Sequence, residues 1–584
     1  MNKIELSSLQ LDTLECIKDK YDRIINGVSH GRSIYYDSNN GVYYKIFHPK
    51  YCRIDNFRKA IKANFFDGLA PALCGLIYND GMIVGYVTKE GPLLSANEFD
   101  NHLIPQDFFR ILKNRIKESG LFFYDLVPHN IILIDGKPSL IDLESVYDIR
   151  EYNSISLHNA KVKPAELDNY IKELWRSTPM KISLIQPGRN NLKYLKWSYD
   201  SIRKNQGDHE VEICVADDFS NDGTWEWCKE MMQHDPHFKA IRNEGPTRLG
   251  HTILYDRLVN EVASHDICMI YHADMYLCPN ALDYVKELVS PKRIVSLTRI
   301  EPPLHPPGPE KVLQDFGIEP EEFDEDALFA YLQATDEERS VKITEGVFAP
   351  WAFYKEDFQE IGGHDPLYAP QSKEDSDIFN RFQLNGVKFV QTWEGFVYHM
   401  TCRGSRFADG AKRNPDGKVF MKNRETDEWL TQNKKATREF IRKWGHLCNH
   451  DIFLKPIVPP KYDIGFVITN ANLQLIEVLE PWCSTIYCDE QFNIGRYADY
   501  VEMEDTSFDL YEKFKPLDNE KQNEILIQID GNAFTQEDFG YIQQLSEIIQ
   551  DSGEDNFHGE IGNLVIDIIK MNTYEKDLIS CNRI

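Results

Sequence analysis

Four groups of polar residues in this chain stand at spacings that could do chemistry. They are Asp217-Asp218-Phe219-Ser220-Asn221-Asp222-Gly223-Thr224, His272-Ala273-Asp274, Glu374-Asp375-Ser376-Asp377, and His399 with Arg403 and Arg406 close behind. Asp218 can accept hydrogen bonds from a nucleobase or ribose, and Gly223 lets the backbone turn sharply. The competing reading is an Asx turn that only closes a strand. Asp274 is a hard oxygen ligand for Mn2+ or Mg2+, and His272 could add a nitrogen, which Mn2+ accepts more readily. Glu374 and Asp375 open the pattern ED-x-D-(x3)-R-(x4)-G, completed by Arg381 and Gly386. Acids at such a place do chemistry or merely complement a helix dipole. Arg248 offers a cation for a diphosphate, with a solvated surface arginine as the alternative.

These groups need elements to hold them. The apolar run Ile182–Ile185 breaks at Pro187-Gly188, an amphipathic stretch follows from Leu192 to Arg203, and a second apolar run, Val211–Ala216, ends in the paired acids. That pattern predicts a β-α-β unit. In open α/β sheets ligands sit beyond the carboxyl ends of the strands, where these polar clusters fall. A helix is expected over Trp225–Gln233, a strand over Lys239–Arg242, and a buried strand from Ile267 that delivers His272 and Asp274 at its end. Another strand ends in His399, and a helix over Thr437–Trp444 closes the region. Residues 300–340 are rich in proline and acids and read as a long loop beside the cleft, whose negative charge argues against an acidic partner there.

The first 150 residues carry a different constellation. Residues 34–47 read as two strands around a turn at Asn39-Asn40-Gly41, with Lys45 in the second. Asp125 is followed by Asn130, by a hairpin turning at Asp135-Gly136, and by Asp142 after an apolar strand. Asp125 could take a proton from a hydroxyl while Asn130 and Asp142 hold magnesium on a nucleotide triphosphate. The bland alternative is that Asp125 and Asp142 cap turns.

The stretch 181–224 resembles the start of a GT-A glycosyltransferase domain of glycosyltransferase family two, and the Glu374–Gly386 run resembles the acceptor half of the same enzymes. The resemblance implies a metal-dependent inverting transferase that moves a sugar from a nucleotide-diphosphate sugar, UDP-sugar favoured, to a hydroxyl of a glycan or other acceptor. On that resemblance Pro187, Asp217, Asp218, Asp222, Arg248, Asp274 and Arg403 line the nucleotide-sugar site. Asp274 and His399, with His272 helping, hold Mn2+ or Mg2+. Asp375 is the general base and Glu374 positions the acceptor, while Asp377 and Arg381 form a structural pair. Residues 20–150 resemble protein-kinase-like folds, particularly small-molecule and lipopolysaccharide kinases, with Lys45, Asp125, Asn130 and Asp142 as the site and ATP as its nucleotide. They depart from that pattern: Asp142-Leu143-Glu144 stands for Asp-Phe-Gly, Tyr124 precedes Asp125 where an Arg is usual, and no clear Glu follows to pair Lys45. A sugar or glycolipid kinase, a bifunctional transferase-kinase, and a kinase-shaped module that only binds therefore remain open.

Composition frames these readings. The 584 residues suffice for three or four domains: a kinase-like α+β domain over 1–150, a linker helix over 151–179, a GT-A domain of α/β class over 180–446, and a small α/β domain over 447–584. A net charge of −28 with no basic run argues against polymeric nucleic acid. Twelve scattered cysteines fit reduced thiols and a cytoplasmic setting. No apolar run approaches the ~20 residues that cross a bilayer. In the C-terminal part Thr535–Ile549 reads as one amphipathic helix, Asp530-Gly531-Asn532 as a turn, and the domain as a surface for oligomerisation or docking.

Overall fold

The computed structural model describes residues 2–18, 24–25, 28–29, 32–47, 54–93, 106–124, 126, 130–152, 165–336, 341–401, 403, 410–421, 425–489 and 500–581. The chain forms two compact units, Met1–Met180 and Lys181–Ile584.

The first unit is built on a six-stranded sheet. Its order is Asn2–Glu5, Leu73–Asn79, Met82–Lys89, Val42–Phe47, Arg32–Asp37, Glu15–Lys18. The expected hairpin forms because Asp37 accepts hydrogen bonds from the backbone N–H groups of Asn39 and Asn40, at 3.0 and 3.3 Å. A second hairpin pairs Ile131–Ile134 with Lys137–Leu140. Its Asp135-Gly136 turn has positive φ at both residues, 50° and 75°, the geometry that matches strand twist. Helices Ile54–Lys62 and Gln106–Ser119 pack with these strands around Phe57, Phe65, Tyr86, Phe122 and Phe123, all buried.

The second unit centres on a ten-stranded sheet. Three parallel strands, Lys181–Gly188, Glu210–Asp218 and Phe238–Asn243, extend to one side, joined by helices Leu192–Asn205 and Thr224–His234. The chain then crosses back, and Ile267–Ile270 pairs parallel to the other side of Lys181–Gly188. That reversal of strand order opens a crevice at the carboxyl ends of the two strands, and His272-Ala273-Asp274 leaves the sheet there. Beyond it lie Trp351–Tyr354, Arg293–Glu301, Lys388–His399 and Met275–Leu277. The central strands Lys181–Gly188, Glu210–Asp218 and Ile267–Ile270 are mostly buried, as a sheet covered on both faces requires, while the edge strand Phe238–Asn243 is half-buried.

Two expectations change. Residues 300–340 are not one loop: they contain a strand Lys311–Leu313, a 3-10 turn Pro320–Glu322 and a helix Glu325–Asp336. That helix starts where Lys204 and Tyr276 contact Glu325, with Asn205 donating to the Tyr276 hydroxyl at 3.0 Å, so ion pairing and aromatic packing anchor the acid-rich segment. The C-terminal helix expected over Thr535–Ile549 breaks at Gln543-Gln544 into Gln536–Ile542 and Leu545–Ser552. These helices cover a six-stranded sheet ordered Phe514–Pro516, Thr485–Cys488, Ile464–Thr469, Ile525–Asp530, Leu564–Ile568, Phe557–Ile561. Among the described residues no helix is long and apolar enough to cross a membrane.

Candidate active site

The acids of the first polar group are largely spent on their own backbone. Asp217 is wholly buried, accepts from the Ser220 N–H at 3.2 Å and lies 3.2 Å from Arg242. Asp222 accepts from Thr224 Oγ1 at 2.6 Å and from the Leu192 N–H at 3.0 Å, stitching the heads of two helices together. Asp218 ends its strand and reaches the head of helix Gly250–Arg257. It accepts from Asn243 Nδ2 at 2.7 Å and from the N–H groups of Leu249 and Gly250 at 3.1 and 2.9 Å. Burial pushes its carboxyl up, but these donors outweigh burial and hold it below the usual range. The Asx-turn reading thus describes Asp217 and Asp222, while Asp218 ties the strand edge to the helix. Arg248 Nε stands 3.7 Å from Asp218, and Pro187 is buried at the carboxyl end of its strand.

Across the crevice the metal-ligand candidates converge. Strand Met275–Leu277 pairs antiparallel with the end of Lys388–His399, setting Met275 opposite His399. Asp274 therefore meets His399, with His399 Nε2 3.4 Å from its carboxylate. The ligand atoms of His272, Asp274 and His399 all lie within 4.8 Å of one another. Two imidazole nitrogens and one carboxylate oxygen form a mixed donor set that suits Mn2+. On its other side His399 Nδ1 lies 2.8 Å from Glu301 Oε1. Burial disfavours the charged form at each of these groups. His399 overcomes it at Asp274, which is held at about 2, and the two carboxylates overcome it at His399, which rises to about 9. His272 keeps the effect of burial and falls to about 3.

The acceptor-side pair opens helix Glu374–Leu384 after Ser372 and Lys373, both with positive φ, 86° and 72°. The two acids differ in surroundings: Glu374 is buried and its Oε2 has no hydrogen-bond partner, whereas Asp375 is exposed. Burial first, then the charge of Asp375, pushes Glu374 up to about 8. Protein atoms crowding Asp375 raise it as well, against the pull of His364 and Arg299. Asp377 and Arg381 are wholly buried and paired at 2.7 Å. Arg381 also donates to the Ile361 and Gly363 carbonyls at 3.0 and 2.7 Å, so this pair fixes the helix to the Gly362-Gly363 turn.

Three further groups belong to this neighbourhood. Glu301, 1% exposed, backs His399. His251, beside Gly250, feels the charges of both Asp218 and Asp274, linking the two halves of the crevice. His364 places Nδ1 2.9 Å from Asp256 and stacks on Tyr255 at 5.3 Å. His251 and His364 lie within motifs visible in the sequence; Glu301 closes an apolar strand with nothing local to mark it. Arg403 contacts the Ile318 carbonyl and lies 3.5 Å from Glu319, so the acidic insertion holds it; Arg406 lies outside the described residues.

In the N-terminal unit Lys45 pairs with Asp142, and its ammonium lies 5.5 Å from the Tyr86 ring centroid. Tyr86 hydroxyl contacts Glu144 and accepts from the Leu143 N–H at 3.0 Å. Asp142 takes φ 57°. Asn130 is buried, and its backbone carbonyl accepts from the Ile141 N–H at 2.9 Å. Asp125 lies outside the described residues.

Residues 183–313 match the family described as glycosyl transferase family 2. The chain carries that glycosyltransferase domain, and the matched span holds Asp217, Asp218, Asp222, Arg248, His272, Asp274 and Glu301. No curated protein matches the chain. Among solved structures it is similar to GalNAc-T7 with UDP, GalNAc and Mn2+, at 14% identity and a TM-score of 0.30 over 38% of this chain; it spans 43% of that protein's length. It is also similar to the mannosyltransferase PcManGT from Pyrobaculum calidifontis in complex with GDP-Man and Mn2+, at 17% identity and a TM-score of 0.28, covering 44% of this chain and 69% of the other.

Proposed function

We propose that the region 180–446 is a metal-dependent inverting glycosyltransferase that takes a nucleotide-diphosphate sugar, UDP-sugar favoured, and glycosylates a hydroxyl of a glycan acceptor in a cytoplasmic setting. The observation that carries the reading is the convergence of His272, Asp274 and His399 at the switch point of a sheet whose first half matches a glycosyltransferase family. A divalent ion held by these three would neutralise the departing diphosphate. Asp218, Arg248 and the head of helix Gly250–Arg257 bound the nucleotide side. Asp375, exposed at the head of its helix, takes the proton of the acceptor hydroxyl as that oxygen bonds to the anomeric carbon and the carbon–diphosphate bond breaks. One displacement inverts the anomeric configuration. Buried Glu374, pushed up by burial and by the charge of Asp375, positions the acceptor beside that base.

The test is a thermal-shift panel of UDP- and GDP-sugars with and without Mn2+. A donor that binds only the folded state raises the melting temperature by mass action. The expected result is a Mn2+-dependent shift with one donor, lost in Asp274→Asn. No shift with any donor in the presence of Mn2+ overturns the reading.

A second reading applies to the N-terminal unit, on the pairing of Lys45 with Asp142 beside buried Asn130. We propose that it binds ATP with Mg2+ in a kinase-like site. A Mg·ATP-dependent shift of the full chain, absent in Lys45→Ala, supports it. Radiolabel transfer from ATP to a glycan, absent in Asp125→Ala, would make the enzyme bifunctional.

A further inference from the structure

Glu301 is the least expected residue at the crevice. It ends strand Arg293–Glu301, and that strand runs parallel to Lys388–His399 with Ile300 opposite Tyr398. The pairing brings two residues 98 positions apart to the same sheet edge, Glu301 Oε1 2.8 Å from His399 Nδ1. Burying a carboxylate at 1% exposure is costly unless cations surround it. Here they do: Arg299 Nη1 at 3.4 Å and Lys311 Nζ at 3.7 Å. Arg299 is itself held against the Phe348 ring, 4.4 Å from its centroid. Glu301 Oε2 carries no hydrogen bond, so its ties are the imidazole and the two cations.

We infer that Glu301 is a positioning residue for the divalent ion, acting through His399. This rests on the metal reading above. An imidazole that donates Nδ1–H to a fixed carboxylate has its ring plane set, so its Nε2 faces Asp274 and, once a bound ion displaces its proton, would turn its lone pair to that ion. The carboxylate also makes the ring a stronger donor. Lys311 lies in strand Lys311–Leu313, the first element of the acidic insertion, and this strand pairs with Arg293–Glu301. The insertion that covers the acceptor side is thereby fastened to the group that orients the metal ligand.

The experiment measures Mn2+ binding to the metal-free full chain by the EPR signal of free Mn2+, without substrate, for wild type, Asp274→Asn, Glu301→Gln and Glu301→Asp. Loss of a partner carboxylate behind a ligating histidine weakens metal binding by about 10–100-fold. The expected order is wild type tightest, Glu301→Asp intermediate, Glu301→Gln weakened by that factor, and Asp274→Asn without binding. Metal-free melting temperatures separate a general fold defect from a specific one, and the milder Glu301→Asp serves if the Gln variant does not fold. Mn2+ binding by a folded Glu301 variant equal to wild type overturns this inference and leaves the metal reading standing. Absence of binding in the wild type itself overturns both.

Discussion

Glu374 and Asp375 are neighbours in sequence with opposite relations to water, and this separates their tests. Asp375 reaches solvent, so Asp375→Asn should lower kcat by about 10²–10⁴-fold, the usual worth of a positioned base, with the donor-induced thermal shift retained. Loss of donor binding in that variant would assign Asp375 to the donor side instead. Glu374 is raised from its ordinary 4.5 to about 8, chiefly by burial. A group that binds its proton more tightly when folded contributes stability that is complete below the unfolded value and is lost as pH rises through the folded one. Stability should therefore decline between about pH 4.5 and 8, and Glu374→Gln should flatten that decline in denaturant titrations at several pH values. Asp274, Asp375 and His399 were legible as candidates because each ends an apolar strand or opens a helix inside a recognisable pattern. The fate of Asp217 and Asp222 was not, since nothing in DDFSNDGT says which acids turn back onto the backbone.

The element that sets the crevice is helix Gly250–Arg257, and its first residue shows how tightly it is held. Gly250 has φ 75° and donates its N–H to Asp218, while a Cβ there would lie 2.0 Å from the Pro370 carbonyl oxygen. Gly250→Ala should cost more than the about 1–3 kcal/mol of left-handed strain alone, because the helix must also move off Pro370. Denaturant unfolding checks this, and a variant as stable as wild type would show that the helix is free to shift. Helix Glu374–Leu384 depends on buried Arg381: replacing it with Met leaves Asp377 beside Lys443 and strips two carbonyls of their donors. Removing one partner of a buried pair costs about 3–5 kcal/mol. The β-α-β alternation was legible from period alone, since buried parallel strands and amphipathic helices write different patterns. The helix Glu325–Asp336 was not, because the proline- and acid-rich run before it reads as a loop and the contacts that order its first turn lie far off in sequence.

At the scale of the second unit, the central sheet and the C-terminal sheet share helix Asp427–Trp444. Its Arg438 and Arg442 reach the fully buried Glu480, which also binds Lys513 at 2.7 Å and the Tyr500 hydroxyl at 2.9 Å. Glu480→Ala would take Lys513 from its buried carboxylate and leave Arg438 and Arg442 to Glu504 and Glu439, at a cost of about 3–5 kcal/mol. If this network couples the two sheets, calorimetry should show residues 181–584 melting in one transition in the wild type and in two in Glu480→Ala. Two transitions in the wild type would show that the shared helix does not join them. Such a network is invisible in a linear reading, where Arg442, Glu480 and Lys513 are scattered charges in an acidic chain. Lys311 extends the same principle toward chemistry. Because it belongs to the insertion yet lies 3.7 Å from Glu301, exchanging that insertion for another would, on the proposed metal site, also change Mn2+ binding unless a cation is restored at that one position.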